Sequence, residues 1–431
     1  MCLLSRQFRH ALVAVLAAGP AFAAEAAAPD TGHVAWVLTA SALVLFMTLP
    51  GLALFYGGLV QAKNVLSVLM HCFAICCVAS LLWIAFGYSL AFAEGTPWLG
   101  SLDKSFLAHL DAVRPKTALP ENVFALFQMT FAVITPALII GAFPERVRFP
   151  FVVLFSAAWL IVVYVPVAHW VWGGGWLAGL GALDFAGGIV VHTTAGVSAL
   201  VAALLVGPRH GFPTALTPPH SPGMTMAGAA MLWVGWFGFN GGSALAADAS
   251  AASAILATHL AASAGALVWM AIEWVKIRKP TSIGIVTGCV AGLATVTPAA
   301  GYVGPAAAML LGALGGAACF AATVLMKQRL RVDDTLDVFA VHGVGGMLGS
   351  VLVGVFALPA LGGTGLPQGA TAAGQLGVQA LAVAAVALWS GLATYGIVAG
   401  VRAIVGARTD EEEEYEGLDL ATHGERAYDF T

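Results

Sequence analysis

The chain has 431 residues, 60% of them hydrophobic and only 9% charged, with a formal net charge of −4 at pH 7. Soluble domains carry about 25% charged residues, so this chain cannot cover a water-facing surface, and a polytopic membrane protein is expected instead. So small a net charge names no partner; no nucleic-acid partner is expected, and the positions of the charges say more than their sum.

The first residues read as an export signal. Arg6, Arg9 and His10 form a basic start, Ala11 to Ala18 an apolar core, and Ala21-Phe22-Ala23 a small-residue cleavage motif. That core is too short for the roughly 20 residues of a spanning helix. The expected organisation is a signal peptide over residues 1–23, one transmembrane domain over 24–408 and a soluble acidic tail over 409–431. Cys2 leaves with the signal. The other five cysteines lie in apolar runs and read as small buried hydrophobes.

Eleven apolar segments are long enough to cross a bilayer, centred near Leu45, Ala79, Ala132, Ala158, Leu200, Leu232, Ala264, Ala291, Leu314, Leu348 and Ala387. An odd number puts the two ends on opposite sides, with the N-terminus outside and the C-terminus in the cytoplasm. Basic residues test this independently. Loops expected inside, with the start of the tail, hold Lys63, Arg146, Arg148, Arg209, Lys276, Arg278, Lys279, Lys327, Arg329, Arg331, Arg402 and Arg408. Loops expected outside hold only Lys104, Arg114 and Lys116. That is the bias of an inner-membrane protein. Glycine and alanine suit close packing of helices in lipid, and Pro50, Pro136 and Pro298 are expected to kink or break their spans.

Two segments share a frame. Asp184, Val191-His192 and Gly196 repeat as Asp334, Val341-His342 and Gly346, both D-x6-V-H-x3-G and 150 residues apart. The histidines fall on the fifth and tenth spans. An odd number of helices per half inverts the second half, and Phe55-Tyr56-Gly57-Gly58 echoes Phe239-Asn240-Gly241-Gly242 at the ends of spans one and six. The fold class expected is an all-α membrane protein of eleven helices, an inverted five-plus-five repeat with one helix added. Intramembrane histidines repeated in two halves point to one path built from both. A copper or zinc site is the competing reading, weakened by the lack of a nearby third ligand.

These residues sit in longer stretches that resemble the ammonium transporter family (Amt, Mep and Rhesus proteins), and its bacterial members most. The stretches are Phe46-Met47-Thr48-Leu49-Pro50-Gly51 with Leu54-Phe55-Tyr56-Gly57-Gly58, Ala168-His169-Trp170-Val171-Trp172-Gly173-Gly174-Gly175, Gly181-Ala182-Leu183-Asp184-Phe185-Ala186-Gly187-Gly188, Gly235-Trp236-Phe237-Gly238-Phe239-Asn240 and Val332-Asp333-Asp334. The resemblance implies a homotrimer with one pore per subunit. It implies that His192 and His342 face each other in that pore and share a hydrogen bond, that Trp172, Phe131 and Ser243 capture ammonium, and that Phe131 and Phe239 stack as a gate. It places Asp184 beneath the capture site. From its position before a helix, Asp184 is expected to cap backbone N–H groups. Met129 and Thr130 are bulkier than the family's usual small residues, and altered gate packing is expected.

Substrate physics explains the pattern. A bare monocation entering a medium of low dielectric costs on the order of 20 kcal/mol; neutral ammonia costs a few. A narrow apolar pore therefore rejects dehydrated potassium yet passes ammonia, provided the proton travels separately. Two histidines, each able to donate at one nitrogen and accept at the other, suit that relay. No cofactor is expected.

Asp334 and Asp337 lie beside Lys327, Arg329 and Arg331 and read as a solvated ion-pair cluster, or as a link between the second repeat and the tail. In the tail, Glu416-Gly417-Leu418-Asp419, His423-Gly424-Glu425 and Ala427-Tyr428 match the bacterial family. That match implies a regulatory tail, with Gly417, His423 and Gly424, that docks across subunits next to a face blocked by a PII signalling protein. Two alternatives stand beside transport of ammonium: an electroneutral gas channel, against which Trp172 and Ser243 argue, and a sensor signalling through the tail, against which the lack of a fused signalling domain argues. An enzyme is not expected, since no activated nucleophile, metal cage or phosphate loop is visible.

Overall fold

Long apolar runs become long helices because lipid leaves backbone polar groups no partner but one another. The computed structural model describes residues 28–108, 112–114, 116–215 and 217–429, so the expected signal peptide lies outside the described residues. Among the described residues, ten helices are long and apolar enough to cross a membrane: Thr31–Leu59, Ala62–Phe92, Glu121–Ala142, Phe149–Gly179, Gly188–Val206, Ala249–Ile277, Ser282–Ala299, Pro305–Leu330, Phe339–Phe356 and Ala372–Val405. The segment near Leu232 is also helical. It runs as Pro222–Trp236 and widens into a π-helical turn over Phe237–Gly241. With it the order of helices is consistent with the eleven expected.

Several spans are not regular α-helices. Each carries a π-helical turn, as at Met47–Leu52, Leu160–Tyr164, Gly188–Thr193, Phe237–Gly241, Leu325–Leu330 and Phe339–Gly343. These six turns fall on spans one and six, four and nine, five and ten, as an inverted repeat would place them; a seventh, Trp83–Gly87 on span two, has no counterpart on the regular helix Ala249–Ile277. Pro50 sits inside the first of them. Pro298 sits in the 3-10 turn Thr297–Ala299 that ends the eighth span, while Pro136 is held within Glu121–Ile139.

The core runs the length of the bundle and is lined by Trp83, Trp159, Tyr56, Phe127, Phe131 and Phe239, all almost fully buried. The third span is the most enclosed, with 89% of its apolar window buried. At the end of the bundle that carries the tail, loops are sewn to helices by ionic contacts. Arg146 is completely buried and donates to the carbonyls of Pro144, Ala142, Gly207 and Asp333 and to the Thr335 hydroxyl. Arg209 grips the Asp333 carboxylate at 2.9 and 3.0 Å, and that grip holds the Asp333 carboxyl below its usual range although burial pushes the other way.

Candidate functional site

The two D-x6-V-H-x3-G frames meet at the centre of the bundle. In both, the histidine sits on a π-helical turn, His192 on Gly188–Thr193 and His342 on Phe339–Gly343. Such turns are uncommon and concentrate at functional sites. Each turn begins on a buried aspartate. Asp184 accepts four backbone N–H groups, from Gly187 and Gly188 at one oxygen and from Ile189 and Val190 at the other, at 2.7–3.0 Å. Asp334 accepts from Val338 at 3.1 Å and Phe339 at 2.7 Å. Capping by Asp184 is thus observed as expected. Asp334 does not join the ion-pair cluster: Asp337 pairs with Lys327 at 2.7 Å, while Asp334 stays buried as the cap. Burial pushes the Asp334 carboxyl up to about 7, and the neighbouring Asp337 charge adds to the rise.

The histidine rings face each other with Nδ1 to Nδ1 at 3.3 Å and planes 24° apart. One nitrogen of that pair must donate and the other accept, so at least one ring is neutral. Nε2 of His192 is buried and has no partner. Both rings line a cavity of about 10 Å³ walled by Leu52, Ile134, Leu138, Trp236 and Phe239. That is room for about one water-sized molecule. Trp236 and Phe239 lie nearly parallel to the His192 ring at 5.5 and 6.0 Å, and the indole N–H of Trp236 is spent on the Thr297 hydroxyl.

Above His192 the phenyl rings of Phe131 and Phe239 close together, centroids 4.4 Å apart. Beyond them opens a vestibule of about 290 Å³ that includes Trp172, Ser243, Gln128 and Asp184. Trp172 stands edge-on to Phe131 at 5.8 Å, its indole N–H bonded to the Asp184 carbonyl at 2.9 Å. The Ser243 hydroxyl donates to the Phe239 carbonyl at 2.8 Å, which leaves its lone pairs free to accept. On the other side of the histidines, a second vestibule of about 320 Å³ includes His342, Tyr56, Arg209, Lys327 and Asp337. The sequence candidates Trp172, Phe131, Ser243, Phe239, His192 and His342 therefore fall along one line. Asp184 braces it from the side. Met129 and Thr130 line neither the Trp172 vestibule nor the inner cavity, and Thr130 turns its hydroxyl back to the Phe127 carbonyl.

The sequence pattern of the Ammonium Transporter Family matches residues 35–428. The chain belongs to the ammonium transporter family. It is 46% identical to the ammonium transporter of Bacillus subtilis (strain 168) over 392 residues, 90% of this chain and 96% of that one. It is 47% identical to the ammonium transporter of Aquifex aeolicus (strain VF5) over 415 residues, 95% and 96% of the two chains. Among solved structures it is similar to the Sensor Amt Protein, with a TM-score of 0.85 at 30% identity over 91% of this chain and 98% of that one. It is also similar to Saccharomyces cerevisiae Mep2, with a TM-score of 0.81 at 37% identity over 89% and 88%.

Some members of the site were not read from the sequence of this family member. Gln128 lines the Trp172 vestibule with a buried carboxamide oxygen that has no partner. Gln379, fully buried on the last span, accepts the Leu183 N–H at 2.7 Å and donates to the carbonyls of Leu183 and Ser350 at 2.7 and 2.6 Å. A buried amide in an apolar span is a signal that would have found both.

The tail packs on its own chain. Asp419 accepts the N–H groups of Leu66 and Ser67 at 3.0 and 2.8 Å, at the start of the helix Val65–Leu82. Asn64 accepts the Leu418 N–H, and Lys63 donates to the carbonyls of Glu414 and Tyr415. Gly417 has a φ of 105°, and a β-carbon there would lie 2.6 Å from Cβ of Lys63. His423 rests edge-on against Phe149, just before the left-handed Gly424, and the other partner of Phe149 is the buried His71.

Proposed function

We propose that this member of the family captures ammonium at Trp172, Phe131, Gln128 and Ser243, removes a proton, and conducts ammonia past His192 and His342 while the proton is carried separately. The direct contact between His192 and His342 inside an otherwise apolar cavity carries this reading. The aromatic faces of Trp172 and Phe131 attract a cation by about 0.5–2 kcal/mol each, and Ser243 and Gln128 offer oxygens to its N–H groups. The closed Phe131–Phe239 pair leaves no room for a hydrated ion, so the cation must give up water or a proton there. The Nδ1–Nδ1 bond passes a proton from ring to ring, and the free Nε2 of His192 accepts from, or donates to, the molecule in the cavity. Asp184 serves as the structural brace rather than the base: burial pushes its carboxyl up, but both its oxygens are already occupied by four backbone N–H groups.

The excess of basic residues on the tail-side loops supports a bacterial inner-membrane orientation with the N-terminus outside and the tail in the cytoplasm. We infer further that the chain assembles as a homotrimer and that its tail-side face receives a PII signalling protein. Expected results are one chain mass in threefold assembly, and recovery of PII from nitrogen-replete membranes.

Proteoliposomes given equal pulses of ammonium and potassium test the transport reading. Current with ammonium alone is expected. A pH change without current would replace it with a gas channel, and silence in both would bring forward a sensor.

A further inference from the structure

The Trp172 vestibule holds a cation of its own. Arg114 lies in the loop before the third span, its guanidinium carbon 3.8 Å from the centroid of the Phe124 ring. Its Nη1 stands 3.3 Å from both oxygens of Glu121. Lys104 reaches the same carboxylate at 2.5 Å, and the Tyr88 hydroxyl donates to it as well. Two cations thus share one carboxylate, and the cluster keeps a net positive charge. Arg114 and Phe124 line the vestibule together with Phe131, Trp172 and Ser243. The other charged side chain in that lining is Asp184, whose oxygens are filled by four backbone N–H groups.

We propose that Arg114 is a specificity-determining residue for cation capture, which occupies the aromatic seat over Phe124 and sets how weakly the vestibule binds a cation. The inference rests on the reading that Trp172 and Ser243 take up ammonium in this vestibule. Two physical effects act in the same direction. An aromatic face that already carries a guanidinium offers nothing to an arriving ammonium ion. A fixed positive charge within a Debye length of the capture site repels that ion as well. A divalent cation meets twice the repulsion, so the arrangement grades entering cations by charge. Glu121 keeps Arg114 in its seat and stops the repulsion from closing the vestibule to monocations.

The test uses the full chain in proteoliposomes, with the apparent ammonium affinity read from the concentration dependence of the current. Arg114→Gln is expected to tighten that affinity about two- to tenfold at low ionic strength. The gain should shrink toward 1 M salt, where the Debye length falls to about 3 Å. Arg114→Lys keeps the charge and should keep the affinity of the parent. Unchanged or weaker affinity in a folded Arg114→Gln protein overturns the proposal. If that variant does not fold, Lys104→Gln removes the second cation of the cluster and leaves Arg114 in place; a tighter affinity supports the proposal and an unchanged one overturns it. Trp172→Leu separates the two readings. If it weakens affinity while the charge variants are silent, only the role of Arg114 is lost; if it too is silent, capture at this vestibule is lost with it.

Discussion

A β-carbon on Gly346 would lie 2.5 Å from Cβ of His192, closer than any two such atoms pack. The relation is reciprocal: a β-carbon on Gly196 would meet Cα and N of Gly343, the residue after His342, at 2.3 Å. The glycine that closes each D-x6-V-H-x3-G frame is the space into which the other frame's histidine turn fits. Backbone lies on both sides of these contacts, so a new methyl group cannot be absorbed by a side-chain rotation.

Gly346→Ala should therefore force the two histidine turns apart. Overpacking of this kind costs about 1–3 kcal/mol, and displacement of the relay should lower ammonium current about tenfold or more. Thermal unfolding in detergent and current in liposomes check the two parts. A variant with parental current would mean that the Nδ1–Nδ1 contact is not needed.

Asp184→Asn keeps the shape of the brace but not its acceptors. One amide oxygen can serve two of the four N–H groups, and the NH2 then faces the other two. Hydrogen bonds to a charged group are worth about 1.5–3 kcal/mol each, so the Gly188–Thr193 turn should loosen and transport fall to near background. Normal transport in this variant would remove Asp184 from the mechanism altogether.

How much of this was legible beforehand depended on what repeats and what does not. His192 and His342 could be paired because their frames recur, and the cap at Asp184 because it precedes a helix. Trp172, Phe131 and Phe239 stood out through family resemblance, and they fall on one line. The π-helical turns have no residue code, so nothing in Gly188–Thr193 announced one. Sequence neighbours place Asp334 with Lys327, whereas folding turns it inward as a cap. In sequence Arg114 is only a loop charge, since its place over Phe124 depends on how that loop folds back.

Gln379→Leu tests the strut from the last span. Leu183 would lose partners for both its N–H and its C=O, next to Asp184. Each unsatisfied buried group costs about 1–3 kcal/mol. The expected outcome is a lower unfolding temperature and a weaker apparent ammonium affinity, since Trp172 bonds to the adjacent Asp184 carbonyl. Lower stability with unchanged affinity would confine Gln379 to a structural role.

Docking of the tail should depend on pH through His423. Burial against Phe149 holds its imidazole below the usual value, against the pull of Asp419 and Glu425, and its Nε2 is buried without a partner. A released His423 titrates near 6.5. Above that pH docking carries no penalty from this group; below it the released tail takes up a proton that the docked tail resists, and the penalty grows until the docked value is reached. Limited proteolysis should therefore cut the tail faster at about pH 5.5 than at about pH 7.5. His423→Phe should abolish the difference, and its persistence there would remove His423 from the effect; Asp419, whose carboxyl burial pushes up, would favour docking at the lower pH and cannot supply it.

The cavity between Phe239 and His342 has a last consequence, for counting. With space for about one small molecule, it is a waiting room with a single chair. On the proposed path, traffic through it is serial, each occupant leaving before the next is admitted. Flux must then saturate at the rate at which one occupant clears the histidines, however high the concentration outside. Two permeants present together compete for the same place rather than adding their flows.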